Sequence, residues 1–441
     1  GTFLSEEGTE IDPYVISSKS NMDELSRQVS EEKKTFKGKV FVVDANVSEI
    51  DLGNFVPIGT RTYPFEGIFD GYGTNFILNI DKPALELQGL FGHIRTGLIE
   101  NVSVSGSITG YDFVGGIVGW QESGTVRNVY NTARIEATRN TAGGIVGYMG
   151  QGLLTNAYNR GEIISLDQAG GIVGYAHAAY DTKQNEITNV YSSGTVTSNN
   201  STTTGGVIGL NQSASYNRNV RTNLYYDITV IANYDQSKKY KPSTDPSGQG
   251  LNSGVMFSQM SGKFGTGWVF KESTKTDAYY PQLAVFSDDS YEPIRVQSEE
   301  SVKINIESGL GTEEFPFWIY TIEDIEDLKE KIEKGNTFKG FFFKMDINVT
   351  EMDLGNFIPI GNNSHPFYGS FDGSNVEFTV NINSEASFQG LFGHFGYGTI
   401  KNLSVTGQVI GKDNVGGIVG YKESGTITNV YNKANIKGTN Y

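Results

Sequence analysis

Apolar pairs framed by glycine punctuate the chain at a regular interval. GLFG begins at Gly89, GIVG at Gly116, Gly144 and Gly171, and GVIG at Gly206, with steps of 27, 28, 27 and 35 residues. Twelve residues into each of the first three units stands an asparagine with an apolar residue behind it: Asn101, Asn128 and Asn156. The next two units delay it to Asn189 and Asn223. The additional residues, in YAHAAYDTKQNE and NQSASYNRNV, enter between the glycine phrase and the asparagine both times. Insertions at one place of successive copies read as surface loops on one side of a regular stack.

Around these asparagines the alternation of apolar and polar residues carries a fault. Ile99, Val126, Leu154 and Ile187 lie two residues before, Glu100, Arg127, Thr155 and Thr188 one before, and Val102, Val129, Ala157 and Val190 one after. Strict period-2 alternation places the positions two before and one after on opposite faces. Both are apolar, so the strand must bend at the asparagine, which is expected to point inward at a corner. Stacked corner amides can bond from coil to coil and so satisfy groups that are costly to bury. The expected ladder is Asn101, Asn128, Asn156, Asn189 and Asn223, with Asn402 and Asn429 in a later copy. The expected structural glycines are Gly89, Gly116, Gly144, Gly171, Gly206, Gly390 and Gly417, at corners that need a positive φ or no Cβ. A unit of this length is too long for one hairpin and lacks a helical period. It predicts an all-β fold, a parallel β-helix or β-solenoid, with one coil per unit.

A longer duplication encloses the repeats. TFKGKVF returns as TFKGFFF, DLGNFVPIG as DLGNFIPIG, and LQGLFGH as FQGLFGH, so residues 8–140 correspond to 311–441. Each copy opens with one helical signal. Ser20 and Thr321 read as N-caps, each with an acid three residues later. Ile322, Ile325, Leu328 and Ile332 then form an apolar stripe, matched less fully by Met22, Leu25 and Val29. Short helices here are expected to cover strand edges at the open end of a solenoid. The expected organisation is two tandem modules: 1–287 with a closing segment over 227–287, a linker over 288–307, and a shorter module over 308–441. The first module runs on past the equivalent of Tyr441 through further coils and a closing segment, so the array is expected to continue beyond it.

The recurring order of glycine pair, asparagine and aromatic, over residues 89–226 and 390–432, resembles the GLUG repeat of bacterial surface and secreted proteins. Such repeats also occur in adhesin-like proteins and in non-catalytic regions of immunoglobulin A peptidases. The resemblance implies a parallel β-solenoid in an extracellular or cell-surface setting and no enzymatic activity for the repeat itself.

Composition narrows the chemistry. Of 441 residues 55 are glycine and none is cysteine, which suits tight corners and removes thiolate chemistry. A formal charge of −16 disfavours nucleic acid and anionic partners. No apolar run approaches the roughly 20 residues of a membrane span. Histidine, serine and glycine motifs of hydrolases and nucleotide enzymes are absent. Asp70 and Asp372, each in an FDG phrase, could serve a β-helical polysaccharide enzyme or a Ca²⁺ site with Asn75 or Asn375, but Asp-Gly more simply reads as a turn. His93 and His394 share one place in GLFGH and read as structural. The tyrosines of the Asn-x-Tyr phrase (Tyr130, Tyr158, Tyr191, Tyr225, Tyr431) read as coil-to-coil stacking rather than as a sugar platform. The best ligand-binding candidates are His177, Tyr180, Tyr216 and Asn217, in the two loops that break the repeat. The expectation is a non-enzymatic extracellular adhesin or stalk, monomeric and without cofactor or metal, whose partners are a host or cell-surface protein or a glycan. The alternatives are a non-catalytic region of a large secreted peptidase and a carbohydrate-active β-helix enzyme.

Overall fold

A computed structural model describes residues 6–178, 184–213, 219–228, 230, 248–251, 253–271, 277–286, 294–295 and 311–440. The chain forms two compact units, 1–297 and 298–441. Most of the expected linker lies outside the described residues; Ile294–Arg295 pairs antiparallel with Asp277–Ala278.

The first unit is a parallel β-solenoid. One long sheet carries the asparagine strands Leu98–Gly110, Thr125–Asn131, Gly152–Asn159, Asn185–Ser192 and Val220–Asp227 side by side. A sheet of two- and three-residue strands ends on the first glycine of each GG pair, from Val114–Gly115 to Thr204–Gly205. A third sheet holds Phe91–Ile94, Val118–Gln121, Val146–Met149, Val173–Ala178 and Ile208–Ser213. Register is kept coil after coil, as in Ile99↔Val126 and Leu154↔Ile187. Neighbouring coils therefore lie one strand spacing apart, about 4.8 Å.

Inside run columns of like residues. Ile117, Ile145, Ile172 and Val207 are all fully buried, as are Ile99, Val126, Leu154 and Ile187. The first coils use rings instead: Phe41, Phe65, Phe69 and Phe91 pack at centroid distances of 5.3–5.9 Å. The helix Lys19–Ser30 adds Met22, Leu25 and Val29 to the same core. Its N-cap is Ser18, whose hydroxyl accepts from the Asn21 amide at 3.3 Å, so the expected cap at Ser20 is corrected by two residues. Ser20 lies inside the first turn, because Ser18 still has extended backbone and the helix begins at Lys19.

The second unit repeats this plan through Phe317–Ile319, Phe342–Met345, Ser370–Asn383, Thr399–Gly411 and Thr426–Asn432. Its helix Ile322–Glu333 has a full capping box: the Thr321 hydroxyl accepts from the Asp324 amide, and the Asp324 carboxylate accepts from the Thr321 amide.

The asparagines do turn the strand, by a backbone route the alternation could not reveal. Asn101, Asn128, Asn156, Asn189, Asn223, Asn402 and Asn429 all have φ between 52° and 59°. One left-handed residue lets the residue two before it and the residue after it both face inward, and asparagine tolerates that region best after glycine. Their own side chains are therefore not the buried ones. They are half-buried, and Asn429 is exposed, which corrects the inward-pointing expectation. Inward polarity falls three residues later, on Asn131 and Asn159, which are fully buried. Asn131 Nδ2 donates to Asn159 Oδ1 at 2.9 Å, and Asn159 Nδ2 donates to Ser192 Oγ at 3.2 Å. Each amide oxygen also accepts the backbone amide two residues on, of Ala133 and Gly161 respectively.

These buried amides explain the glycine pair. A Cβ on Gly116 would lie 2.4 Å from the Gly144 carbonyl oxygen and 2.6 Å from Asn131 Oδ1. Of the seven expected glycines only Gly89 has a positive φ, so the requirement is close approach between coils.

Candidate functional site

Two aromatic rows run across the coils of the first unit, and they have different fates. The first is the Asn-x-Tyr row. Tyr130 and Tyr158 stack at 4.7 Å and 3°, and Tyr158 and Tyr191 at 5.0 Å and 6°. The segment after the last coil folds over it. Gln249–Leu251 pairs with Tyr225–Asp227 and extends the long sheet. Then Phe264 packs against Tyr225, Trp268 against Tyr158 and Tyr191, and Phe286 edge-on against Tyr130. The Trp268 indole N–H donates to Asn156 Oδ1 at 3.1 Å, so an outer ladder amide helps fasten the cover. Tyr280 donates its hydroxyl hydrogen to the buried Asp227 carboxylate, which also accepts from Ser253 at 2.6 Å. Burial pushes the Tyr191 hydroxyl up to about 12. Burial, joined by the Asp227 charge, holds Tyr280 well above the ordinary tyrosine range. Both rings thus stay neutral and serve packing.

The second row is half-buried and has no such cover among the described residues. It is built from the residue after the last glycine of each phrase, on the third sheet. His93, Trp120, Tyr148 and Tyr175 stand opposite one another on four successive strands. Trp120 is half-buried while Gln121 beside it is buried, which sets Trp120 on the outer face. His93 is buried and stacks on Trp120 at 4.1 Å and 8°. Its Nδ1 is 2.7 Å from the Thr60 carbonyl oxygen and its Nε2 2.8 Å from Glu122. Trp120, Tyr148 and Tyr175 are half-buried. Tyr148 and Tyr175 meet edge to face at 5.0 Å, and His177 stacks on Tyr175 at 5.5 Å and 7°.

Two side chains from neighbouring corners complete the row. Phe113 stacks on Tyr148 at 4.8 Å and 11°. The Arg61 guanidinium lies 5.8 Å from the Phe113 ring and 5.6 Å from Trp120, held by a two-pronged pair to Glu86 with both contacts at 2.7 Å. That pair raises the Arg61 pKa and lowers that of Glu86, so both remain charged. Phe113 has φ 52°, a conformation that costs a non-glycine residue roughly 1–2 kcal/mol. Trp120 Nε1 is buried without a hydrogen-bond partner among the described residues.

Of the expected ligand-binding residues, His177 belongs to this row; its strand Val173–Ala178 leads into the first insertion. Tyr180, Tyr216 and Asn217 lie outside the described residues. Asp70 accepts from its own turn, the Tyr72 amide, and from Asn101 Nδ2, both at 2.9 Å. Asp372 does the same with Ser374 and Asn402 at 2.9 and 3.0 Å. Asp372 is the first rung of an outer ladder that continues with Asn429 donating to Asn402 at 2.7 Å; in the first unit the Asp70–Asn101 rung is matched farther up by Asn156 donating to Asn128 at 3.2 Å and Asn223 to Asn189 at 2.9 Å. Asn75 instead exchanges hydrogen bonds with Ser103 and Ser105. No group of three or more histidine, aspartate or glutamate residues placed to hold a metal occurs among the described residues. No described helix is long and apolar enough to cross a membrane.

Sequence reasoning missed the open row and the inner amides. The final letter of GGIVGW and GGIVGY was legible as a column. Counting two residues on from Val129 and Ala157 would have marked Asn131 and Asn159 as inward.

No family model matches the chain, and the resemblance to GLUG repeats stands on residues and spacing. The chain is similar to Halomucin of Haloquadratum walsbyi, 29% identical over 141 residues, which are 31% of this chain and 2% of that protein. Among solved structures it is similar to the "crystal structure of a putative immunoglobulin A1 protease from Bacteroides ovatus", with a TM-score of 0.38 and 20% identity over 50% of this chain and 69% of that one.

Proposed function

We propose that this chain is a non-enzymatic part of a secreted or cell-surface protein, a rod that displays a binding face in the manner of an adhesin or stalk. The observation that carries the reading is where the polar chemistry goes. The repeat's amides and the two FDG carboxylates are taken up in bonds between coils or within turns. Glycoside hydrolysis needs two carboxylates free to face a substrate, and Asp70 and Asp372 are each engaged twice. The aromatic row on the third sheet is the distinctive surface that the coils leave half open. The similarity to Halomucin, a name that belongs with mucin-like surface material, supports the setting.

The test is turnover. Incubation of the chain with a broad panel of polysaccharides and with immunoglobulin should release no product over hours. Product release that disappears in Asp70→Asn would sink the non-enzymatic reading, because that carboxylate is assigned here to a turn and a ladder.

A further inference from the structure

We propose that the open row of the first unit is a binding site for a neutral, linear oligosaccharide, which lies along the stacking axis across Trp120, Tyr148 and Tyr175. The site rests on the reading of the chain as a displayed rod and names the ligand class that the rod presents.

Three observations separate this row from mere coil stacking. The first is repeat distance. The ring centroids of Trp120 and Tyr148 lie 6.3 Å apart and those of Tyr148 and Tyr175 5.0 Å apart, comparable with the advance of one pyranose in an extended glycan, so successive sugars can meet successive rings. The second is composition. Around the half-buried rings stand the fixed Arg61–Glu86 pair, the Tyr148 hydroxyl 3.5 Å from His177 Nδ1, and the Tyr175 hydroxyl donating to Gln212 at 2.7 Å. Rings give the apolar sugar face a surface, while charged and amide groups at the rim suit hydroxyls. The Trp120 N–H, buried and unpartnered, is a donor without an acceptor. The third is the second unit, which keeps the scaffold and lacks the chemistry. Arg61, Glu86, Phe113 and Trp120 correspond there to Asn363, Ser387, Asn414 and Tyr421. Asn414 holds the left-handed corner at φ 55°, the residue type the geometry prefers. Phe113 holds the same corner at φ 52° against that preference, and its ring lies on Tyr148. Strain kept in one copy and relieved in the other fits a role for the ring beyond the fold. The net charge of −16 selects neutral over anionic glycans.

The experiment titrates the whole chain with β-1,4-linked glucose, xylose and mannose oligosaccharides of two to six residues, following heat and tryptophan emission. Oligogalacturonates and immunoglobulin serve as contrasting probes. At least one neutral series should bind. Its affinity should rise with length and level off at about three sugars, one for each ring it crosses. Trp120→Ala and Tyr175→Ala should each weaken binding about tenfold. Should the alanine variants unfold, Tyr148→Phe and Trp120→Phe, which keep a ring, should still weaken it measurably. Tyr421→Ala in the second unit should leave it unchanged. The proposal is overturned if no neutral series binds, if affinity ignores length or the row variants, or if only the anionic or protein probe binds. Binding without turnover supports both readings. Turnover would remove the non-enzymatic one alone, and absence of both binding and turnover would remove the glycan site alone.

Discussion

Two strands of nearly one sequence, TVRNVYN at Thr125–Asn131 and TITNVYN at Thr426–Asn432, show what holds a solenoid coil. In the first unit the strand Gly152–Asn159 lies on the outer edge of its copy, in register from Leu153↔Thr125 to Asn159↔Asn131. In the second the corresponding strand pairs, among the described residues, with Thr399–Gly411 on one side only. Ile135 is fully buried and its counterpart Ile436 is 41% exposed. Tyr130 is half-buried beneath Phe286, while Tyr431 is 57% exposed. Asn131 is fully buried and bonded to the next amide, whereas Asn432 keeps only its local turn. The residues dictate the shape of a coil, and the neighbour supplies most of its burial. That is the energetics of a one-dimensional array, in which interfaces outweigh intrinsic repeat stability.

The largest effect should come from filling the space between coils. A Cβ on Gly144 would sit 2.1 Å from the Gly171 carbonyl oxygen and 2.5 Å from Asn159 Cγ, with coils on both sides. Gly144→Ala should cost the first unit about 3 kcal/mol or more, through overpacking and loss of a buried amide's partners. At Gly417 the three atoms nearest the new Cβ all belong to the side chain of exposed Asn432, which can move. Gly417→Ala should cost about 1 kcal/mol. Equal losses in denaturant unfolding, with the first unit followed by Trp120 and Trp268 and the second by Trp318, would break the comparison.

A second contrast lies within one coil. Asn159→Leu takes the side-chain partner from the Gly161 N–H and C=O in the interior, removes one bond from Asn131, and should cost about 3 kcal/mol. Asn128→Leu removes one half-buried bond and places leucine in the left-handed region, for a loss of about 1–3 kcal/mol. Thermal unfolding ranks the two. An Asn128→Leu variant that melts as the parent does would mean that the outer ladder contributes nothing.

The mildest perturbation is alkaline. Tyr191 and Tyr280 have folded pKa values raised by burial above the ordinary 10.0. The native state keeps these protons longer than the unfolded chain does. Their contribution is complete below about pH 10 and is lost as pH rises toward about 12 and beyond, where the folded hydroxyls themselves ionise. Stability of the first unit should therefore decline above pH 10, reported by Trp268, while Trp318 in the second unit reports a smaller change. Parallel decline at both tryptophans would place the cause outside the covered tyrosine row.

Much of this was legible in the sequence. The glycine step and the apolar residues flanking each asparagine pointed to a parallel β-solenoid, because stacking repeats the same contact at every coil. The direction of the asparagine side chain was not legible. A left-handed φ and an inward corner both place Ile99 and Val102 inside, and only backbone geometry separates them. The cover over the tyrosine row was equally hidden, since Phe264, Trp268 and Tyr280 belong to no repeat and meet Tyr191 across a long sequence separation. His177 was visible as the edge of an insertion, but its aromatic neighbours come from other coils. The Phe113 corner surfaced only by comparison of its φ with that of Asn414.

The central claim, that a coil's order comes chiefly from its neighbours, is tested most directly by hydrogen exchange on the two matched stretches of this 441-residue chain. Amides of 426–438 should exchange at least about tenfold faster than those of 125–137, the equivalent of ~1.4 kcal/mol in opening free energy, in a sample shown to be monomeric. Equal protection of the two stretches in that sample would contradict the account, because the same residues would then hold their structure with and without a coil on the outer edge.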